Sequence, residues 1–190
     1  MKKVIIPLLL LIVGAAAPAY PADYVIDTKG AHAFIQFRIS HLGYSWLYGR
    51  FNDFDGTFTY DGKNPAAAKV EVNIRTASID SNHAERDKHL RGKDFLDVGQ
   101  FPTAKFVSTA FEDKGNGKAA LKGNLTLHGV TRPINIDVEH VGAGADPWGG
   151  QRRGFFGTTR LVLKDFGIDY DLGPASREVH LDLSVEGVKK

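Results

Sequence analysis

The segment HAFIQFRISH, residues 32–41, alternates apolar and polar side chains, and this pattern decides the fold. Ala33, Ile35, Phe37 and Ile39 fall on one face of an extended chain, because successive side chains of a strand point to opposite sides. A strand with one apolar and one polar face is typical of antiparallel sheets, since parallel sheets are covered on both faces. The segment therefore predicts an antiparallel strand that contacts the core through one face.

The same two-residue period recurs along most of the chain. It is found in KVEVNIRTASI (69–79), AALKGNLTLHG (119–129), RPINIDVEH (132–140), FFGTTRLVLKDF (155–166) and EVHLDLSVEGV (178–188). Turn signals such as Asp61-Gly62 separate these segments, as expected between hairpin strands. We count eight or nine strands joined mostly by short turns, which predicts an all-β domain.

Eight antiparallel strands with one apolar face can form either a sandwich or a barrel. Glycines inside the strands, at Gly56, Gly123 and Gly157, favour a barrel, because a closing barrel needs bends and bulges. An eight-stranded barrel of lipocalin type has an interior that can hold one small ligand. We therefore predict an eight-stranded antiparallel lipocalin-like barrel, with short helices at one end.

The first 19 residues are predicted to be a signal peptide. Two lysines precede an apolar run at residues 4–13, and Ala17-Pro18-Ala19 supplies the small residues that a signal peptidase recognises. We expect cleavage after Ala19, export to the periplasm, and a single soluble domain over residues 20–190. No later run approaches the ~20 apolar residues of a membrane-spanning helix, so no integral membrane segment is expected in the mature protein.

Charge and cysteine content exclude several classes of protein. The chain has 24 basic and 22 acidic residues, and the two lysines of the predicted signal peptide account for the difference. A neutral mature chain without a basic block argues against binding to nucleic acid or to an anionic membrane surface. The chain contains no cysteine, which excludes disulfides and thiol catalysis.

The densest polar chemistry lies in HAERDKHLRGKDFL, residues 83–96. Asn82 and Glu85 have the spacing of a capping box, and Gly92 is placed as a left-handed residue after a helix, so we predict a helix over residues 83–91. Its two histidines are six residues apart, whereas two histidine ligands of a metal on one helix are three or four residues apart. This spacing favours a salt-bridged helix that covers one end of the barrel over a metal site.

A second interpretation gives part of this segment a role in binding. Arg86, Asp87 and His89 are candidates for a polar rim that contacts a ligand head group. The other histidines follow no metal-ligand spacing, and the chain has no GxSxG motif of a hydrolase nucleophile. We therefore predict no catalytic residue, no metal and no cofactor.

Four stretches together carry a family resemblance. They are FRISHLGYSWLYGRFNDFDGTF (37–58), NHAERDKHLRGKDFLDVGQFPTAKF (82–106), LTLHGVTRPI (125–134) and DPWGG (146–150). In these stretches the chain resembles the YceI-like family of exported, lipocalin-like proteins, from about Asp23 to Val188. The resemblance implies an eight-stranded barrel whose elongated interior channel binds a long apolar molecule such as a polyisoprenoid, a quinone-like lipid or a fatty-acid amide. It also implies a possible homodimer, and it supplies no catalytic residues.

The channel is expected to follow the apolar faces of the strands, with aromatic rings as walls. The residues expected to line it are Ile35, Phe37, Ile39, His41, Trp46, Phe51, Phe54, Phe58, Ile74, Phe106, Leu125, Ile136, Phe155 and Leu161.

Three functions remain open from the sequence. The first is a periplasmic protein that carries or sequesters a long-chain isoprenoid or similar lipid. The second is an enzyme that acts on such a lipid through the polar segment 83–96. The third is a stress-related interaction module with a filled barrel and no ligand, which an interior cavity would argue against.

Overall fold

The computed structural model describes residues 21–190, so the predicted signal peptide, residues 1–19, lies outside the described residues. The described chain forms eleven strands and one α-helix. The strands are β1 (Ala22–Ile26), β2 (Phe34–His41), β3 (Ser45–Phe51), β4 (Phe54–Tyr60), β5 (Lys69–Arg75), β6 (Ile79–Asp80), β7 (Thr103–Gly115), β8 (Lys118–Leu127), β9 (Val130–Ala145), β10 (Gln151–Val162) and β11 (Glu178–Lys189), and the helix is α1 (Ala84–Leu90).

The sheet closes on itself in the order β1-β4-β5-β7-β8-β9-β10-β11, with β11 pairing back to β1. All of these pairs are antiparallel. Residues 179–184 of β11 pair with β2 and residues 187–189 pair with β1, so β1 and β2 form one interrupted strand. In the same way, β3 and β4 form one interrupted strand, and β5 and β6 form another. The predicted eight-stranded antiparallel barrel is confirmed, and its interruptions explain the higher number of separate strands.

The alternation along the strands decides which side chains fill the interior. On β2, Ile35 and Phe37 are buried, whereas Phe34 is exposed. The interior holds three apolar clusters, which contain Phe37, Phe58 and Phe106 respectively. The face of residues 32–41 that the sequence predicts as apolar is therefore the inner face of the barrel.

Gly123 on β8 combines a bend with close packing. The β7–β8 ladder shifts register between Ser108 and Ala110, opposite Gly123, as the predicted bend requires. A Cβ atom on Gly123 would lie only 2.4 Å from Cζ of Phe106. A glycine at this position therefore makes room for the Phe106 ring on the inner face.

Helix α1 lies at one end of the barrel, close to the predicted extent of residues 83–91. Its N-cap is His83, whose Nδ1 accepts a hydrogen bond from the Arg86 amide at 3.2 Å, so the predicted capping box of Asn82 with Glu85 is wrong. Asn82 instead has a positive φ of 61° in a turn where its amide donates to Asp80 Oδ1. The helix begins at Ala84, one residue later than an N-cap at Asn82 would place it, because Asn82 belongs to this turn.

The C-terminal end of α1 is fastened to the barrel wall. Arg91 follows the helix in a right-handed conformation, and the predicted left-handed Gly92 is wrong. The Arg91 guanidinium donates to the carbonyl oxygens of Ala77 and Ile79 at 2.7 and 2.6 Å. The helix therefore forms a fixed cover over part of the barrel end. No helix among residues 21–190 is long and apolar enough to cross a bilayer.

Candidate ligand channel

The barrel interior contains two adjoining chambers. The outer chamber has a volume of about 730 Å³ and opens between the β2–β3 turn, helix α1 and residues 170–173. The inner chamber has a volume of about 130 Å³. Ile35, Ile74, Leu125 and Leu181 line both chambers, so the two spaces follow one another along the barrel. The barrel interior is therefore an elongated channel rather than a filled core, and its outer part has the size of a small-molecule site.

Polar groups are concentrated at one end of this channel. The inner chamber is lined almost entirely by aliphatic and aromatic side chains. The wall of the outer chamber is also mostly apolar, but its mouth includes Ser40, His41, Arg86, His89 and Asp171. A long apolar chain would be desolvated inside, while a polar head group would remain beside hydrogen-bonding side chains.

The structure places nearly all of the predicted channel residues on the channel wall. Those on the outer chamber are Ile35, Phe37, Ile39, His41, Phe51, Ile74, Leu125 and Leu161, and those on the inner chamber are Ile35, Phe54, Phe58, Ile74, Phe106, Leu125, Ile136 and Phe155. Their contact with a ligand stays a prediction.

Trp46 is the exception, and its prediction as a wall residue is wrong. The β2–β3 ladder pairs Ile39 with Leu47 and Ser40 with Trp46, so Leu47 points inward and Trp46 points outward. The Trp46 ring lies edge-on to His180 on the outer surface, with ring centroids 5.2 Å apart. Trp46 therefore belongs to the outside of the barrel near the channel mouth.

The three predicted rim residues differ in position. Arg86 lines the mouth, and its Nε and Nη2 donate to Ser81 Oγ and the Ser81 carbonyl at 2.8 and 2.6 Å. A guanidinium has five donors, so this anchoring leaves others for a ligand. Asp87 does not line the channel, because its buried carboxylate accepts hydrogen bonds from the amide and hydroxyl of Ser81. The prediction of Asp87 as a rim residue is therefore corrected to a structural role.

His89 lines the mouth and is oriented by its neighbours. Its Nε2 lies 3.0 Å from Asp94 Oδ2, and its ring packs edge-on against Phe95 and Tyr170. Tyr170 belongs to residues 167–177, a segment outside the strands for which the sequence predicted no role in the site. This segment has no alternation of apolar and polar residues, so only the structure shows that it borders the mouth.

Aromatic and polar side chains pack against one another at the far end of the channel. Tyr60 and Phe155 line the inner chamber, and the His140 ring packs against both of them. Arg153 Nη1 lies 2.9 Å from His140 Nε2, and its guanidinium lies over the Tyr60 ring at 4.6 Å. Burial, together with the charge of Arg153, lowers the pKa of His140. A neutral His140 therefore accepts the hydrogen bond from Arg153 behind the channel.

An ion-pair network outside the channel brings together side chains that are distant in sequence. Asp27, His32 and Glu186 place possible metal-ligand atoms within 4.8 Å of one another. Arg152 Nη1 donates to Asp27 Oδ2 and Glu186 Oε1 at 2.7 and 2.5 Å, and its Nε donates to Asp146 at 2.8 Å. The guanidinium already supplies the positive charge between these carboxylates, so we interpret the group as structural.

Hydrogen bonds from His32 and then from Arg152 lower the pKa of Asp27 to about 2. The pKa of Asp146 is also below its usual value, chiefly because Arg152 donates to it. The network joins the segment after β1 to the β9–β10 turn and to β11, and thereby fastens the barrel seam far from the channel mouth.

The fold and the channel together define a lipocalin-like barrel with an apolar interior and a polar mouth. The chain belongs to the family of the YceI-like domain, whose family model matches residues 24–187. The family predicted from the sequence is thus confirmed.

Relatives and solved structures agree with this assignment. The chain is 64% identical over 176 residues to a UPF0312 protein from Pseudomonas paraeruginosa, covering 92% of this chain and 91% of the relative. It is 59% identical over 194 residues to a UPF0312 protein from Shewanella baltica, covering 100% of both chains. The crystal structure of Burkholderia cenocepacia BcnA matches with a TM-score of 0.75 and 22% identity, over 85% of this chain and 98% of that one.

A further solved structure is described as a polyisoprenoid-binding domain from Saccharophagus degradans, implicated in plant cell wall breakdown. It matches with a TM-score of 0.62 and 13% identity, over 90% of this chain and 100% of that domain. At these identities the two structural matches establish a shared fold.

Proposed function

We propose that the protein binds one long apolar amphiphile in the barrel channel, with its chain inward and its head group at the mouth. The observation that carries this proposal is an elongated apolar channel whose mouth is lined by a group of polar side chains. The ligand class is a polyisoprenoid, a quinone-like lipid or a fatty-acid amide. The polyisoprenoid-binding description of the Saccharophagus degradans domain supports the first of these.

The energetics of such a ligand rest on its chain. Each buried methylene contributes about 0.8 kcal/mol, so ten of them contribute roughly 8 kcal/mol before the cost of association is subtracted. Arg86, His41 and His89 at the mouth would add orientation by hydrogen bonds to the head group. Binding of this kind needs no charged contact inside the barrel.

The proposed setting is the periplasm, where the protein carries or sequesters its ligand. The signal-peptide pattern of residues 1–19 supports this setting. Binding rather than catalysis is the proposed activity, which the mostly apolar walls of the channel support.

Thermal unfolding with added ligands tests the proposal. A ligand at a hundredfold excess over its dissociation constant stabilises the folded state by about 2.7 kcal/mol, which raises the Tm of a chain of this size by roughly 5–10 °C. We expect such a rise with at least one of a long prenol, a quinone and a fatty-acid amide.

Two variants make this test specific to the channel. Leu125→Trp places a large ring where the two chambers meet, and should abolish the rise in Tm. Asn124→Trp adds the same ring on the exposed face of the same strand, and should retain it. A wild-type protein that gains no stability with any of the three ligands would contradict the proposal, as would equal gains in both variants.

A further inference from the structure

The end of the barrel that carries the channel mouth also exposes apolar side chains. The β2–β3 turn has the sequence Leu42-Gly43-Tyr44, and Leu42 and Tyr44 are 59% and 88% exposed. Leu42 has a positive φ of 54°, a conformation that bulky residues rarely adopt and that hairpin turns usually assign to Asn or Gly. A leucine in this turn therefore keeps a partly exposed apolar side chain at the channel mouth, at a conformational cost.

Aromatic residues continue this surface around the mouth. Tyr44, Trp46 and Tyr48 follow one another at every second position, so they share the outer face of β3 and its adjoining turn. Tyr170 lies on the other side of the opening and is about half-exposed. We name Leu42, Tyr44, Trp46 and Tyr170 the mouth collar. Tyr and Trp combine an apolar ring with a polar atom, which suits the interface between lipid and water.

The charges beside the mouth indicate the kind of surface that the collar fits. Arg86 and Asp171 both line the opening, so a basic and an acidic side chain lie there together. The opening is therefore not a strongly basic surface that selects anionic lipids. A zwitterionic lipid interface matches both the near-balanced charge and the aromatic collar.

We infer that the mouth collar docks the protein on a zwitterionic lipid surface, so that a ligand chain passes between bilayer and channel without crossing water. This inference rests on the proposed function for its purpose, because only a membrane lipid needs such a passage. The supporting observation is independent of the ligand: the exposed apolar collar borders the channel mouth.

The two tryptophans of the chain provide a matched pair of reporters. Trp46 lies in the collar, whereas Trp148 lies in the β9–β10 turn and is 78% exposed. β11 separates the two sites, since Val179 near its start pairs with Ile39 and Val188 near its end pairs with Arg152. Trp148→Phe therefore leaves a single tryptophan at the mouth, and Trp46→Phe leaves one at the opposite end.

The experiment mixes each single-tryptophan variant with phosphatidylcholine vesicles, with and without brominated acyl chains. We expect emission from Trp46 to shift to shorter wavelength and to be quenched at least twofold by the brominated chains, while Trp148 shows neither change. In a sedimentation assay, the double change of Leu42→Ser and Tyr44→Ser should reduce vesicle binding at least fivefold. Val141→Ser, at an exposed apolar position outside the collar, should leave it unchanged.

Three outcomes would overturn the inference. The first is no vesicle binding, and the second is equal quenching of both tryptophans. The third is a shift of the Trp46 emission in the absence of vesicles, together with a doubling of the protein's mass in solution. The last outcome would assign the collar to a second copy of this chain. Phosphatidylcholine vesicles contain none of the proposed ligands, so a failure to dock leaves the thermal test of ligand binding in the channel unaffected.

Discussion

Asp27→Asn is expected to remove a pH-dependent part of the stability. Hydrogen bonds from His32 and Arg152 hold the pKa of Asp27 at about 2, below the ordinary value of 3.8. A depression of this size corresponds to about 2 kcal/mol of folding free energy. Because the pKa is lower in the folded state, this contribution is fully present above about pH 4 and is lost as the pH falls towards 2.

The assay is urea unfolding of the wild type and the variant at a series of pH values from 7 to 2. At pH 7 the variant should be less stable by about 2 kcal/mol, and the two free energies of unfolding should converge as the pH approaches 2. Asp23→Asn, at an exposed position on the preceding strand β1, is the matched control and should change little. A difference between wild type and Asp27→Asn that is absent at pH 7, or constant across the series, would refute the reasoning.

Three further predictions concern the mouth, helix α1 and the barrel wall. Arg86→Gln should weaken binding of a long-chain fatty acid about tenfold, which corresponds to a loss of about 1.4 kcal/mol. Titration calorimetry should show that the affinity for a fatty alcohol is unchanged. Equal losses of affinity for the two molecules would contradict a head-group role of Arg86. Asp87→Ala should lower the free energy of unfolding by about 2–3 kcal/mol, because Ser81 loses its carboxylate partner. The dissociation constant of the fatty alcohol should stay the same. A stable variant that fails to bind the fatty alcohol would place Asp87 in the site. Gly123→Val should destabilise the folded protein by about 1–3 kcal/mol, because the new side chain collides with Phe106. Gly142→Val is the control and should not destabilise it, because a Cβ atom there meets nothing within 4 Å. Similar thermal unfolding of the two variants would contradict the packing argument.

The barrel was predictable because its evidence is local. The alternation in residues 32–41 assigns Ile35 and Phe37 to the same face, whichever strands pair with it. Family resemblance added the closure that periodicity leaves undecided between a sandwich and a barrel. The position of Trp46 was not predictable in this way. Which side chains of β3 point inward depends on the register between β3 and β2, and the turn at residues 42–44 sets that register.

The remaining features depend on tertiary contacts or on volume. Asp87 reads as an exposed helix residue, but the fold turns its carboxylate towards Ser81. Asp27 and Arg152 are separated by 125 positions, and nothing in either segment indicates their contact. An open channel and a filled barrel share one alternation pattern, so the empty volume behind residues such as Leu125 follows only from the packed side chains.

Native mass spectrometry of the protein, purified from its host compartment and followed by organic extraction, tests the central claim most directly. The account predicts one bound long-chain amphiphile per wild-type chain, retained by Asn124→Trp and missing from Leu125→Trp. A wild-type chain that is always empty, or a Leu125→Trp variant that carries the same molecule, would contradict it.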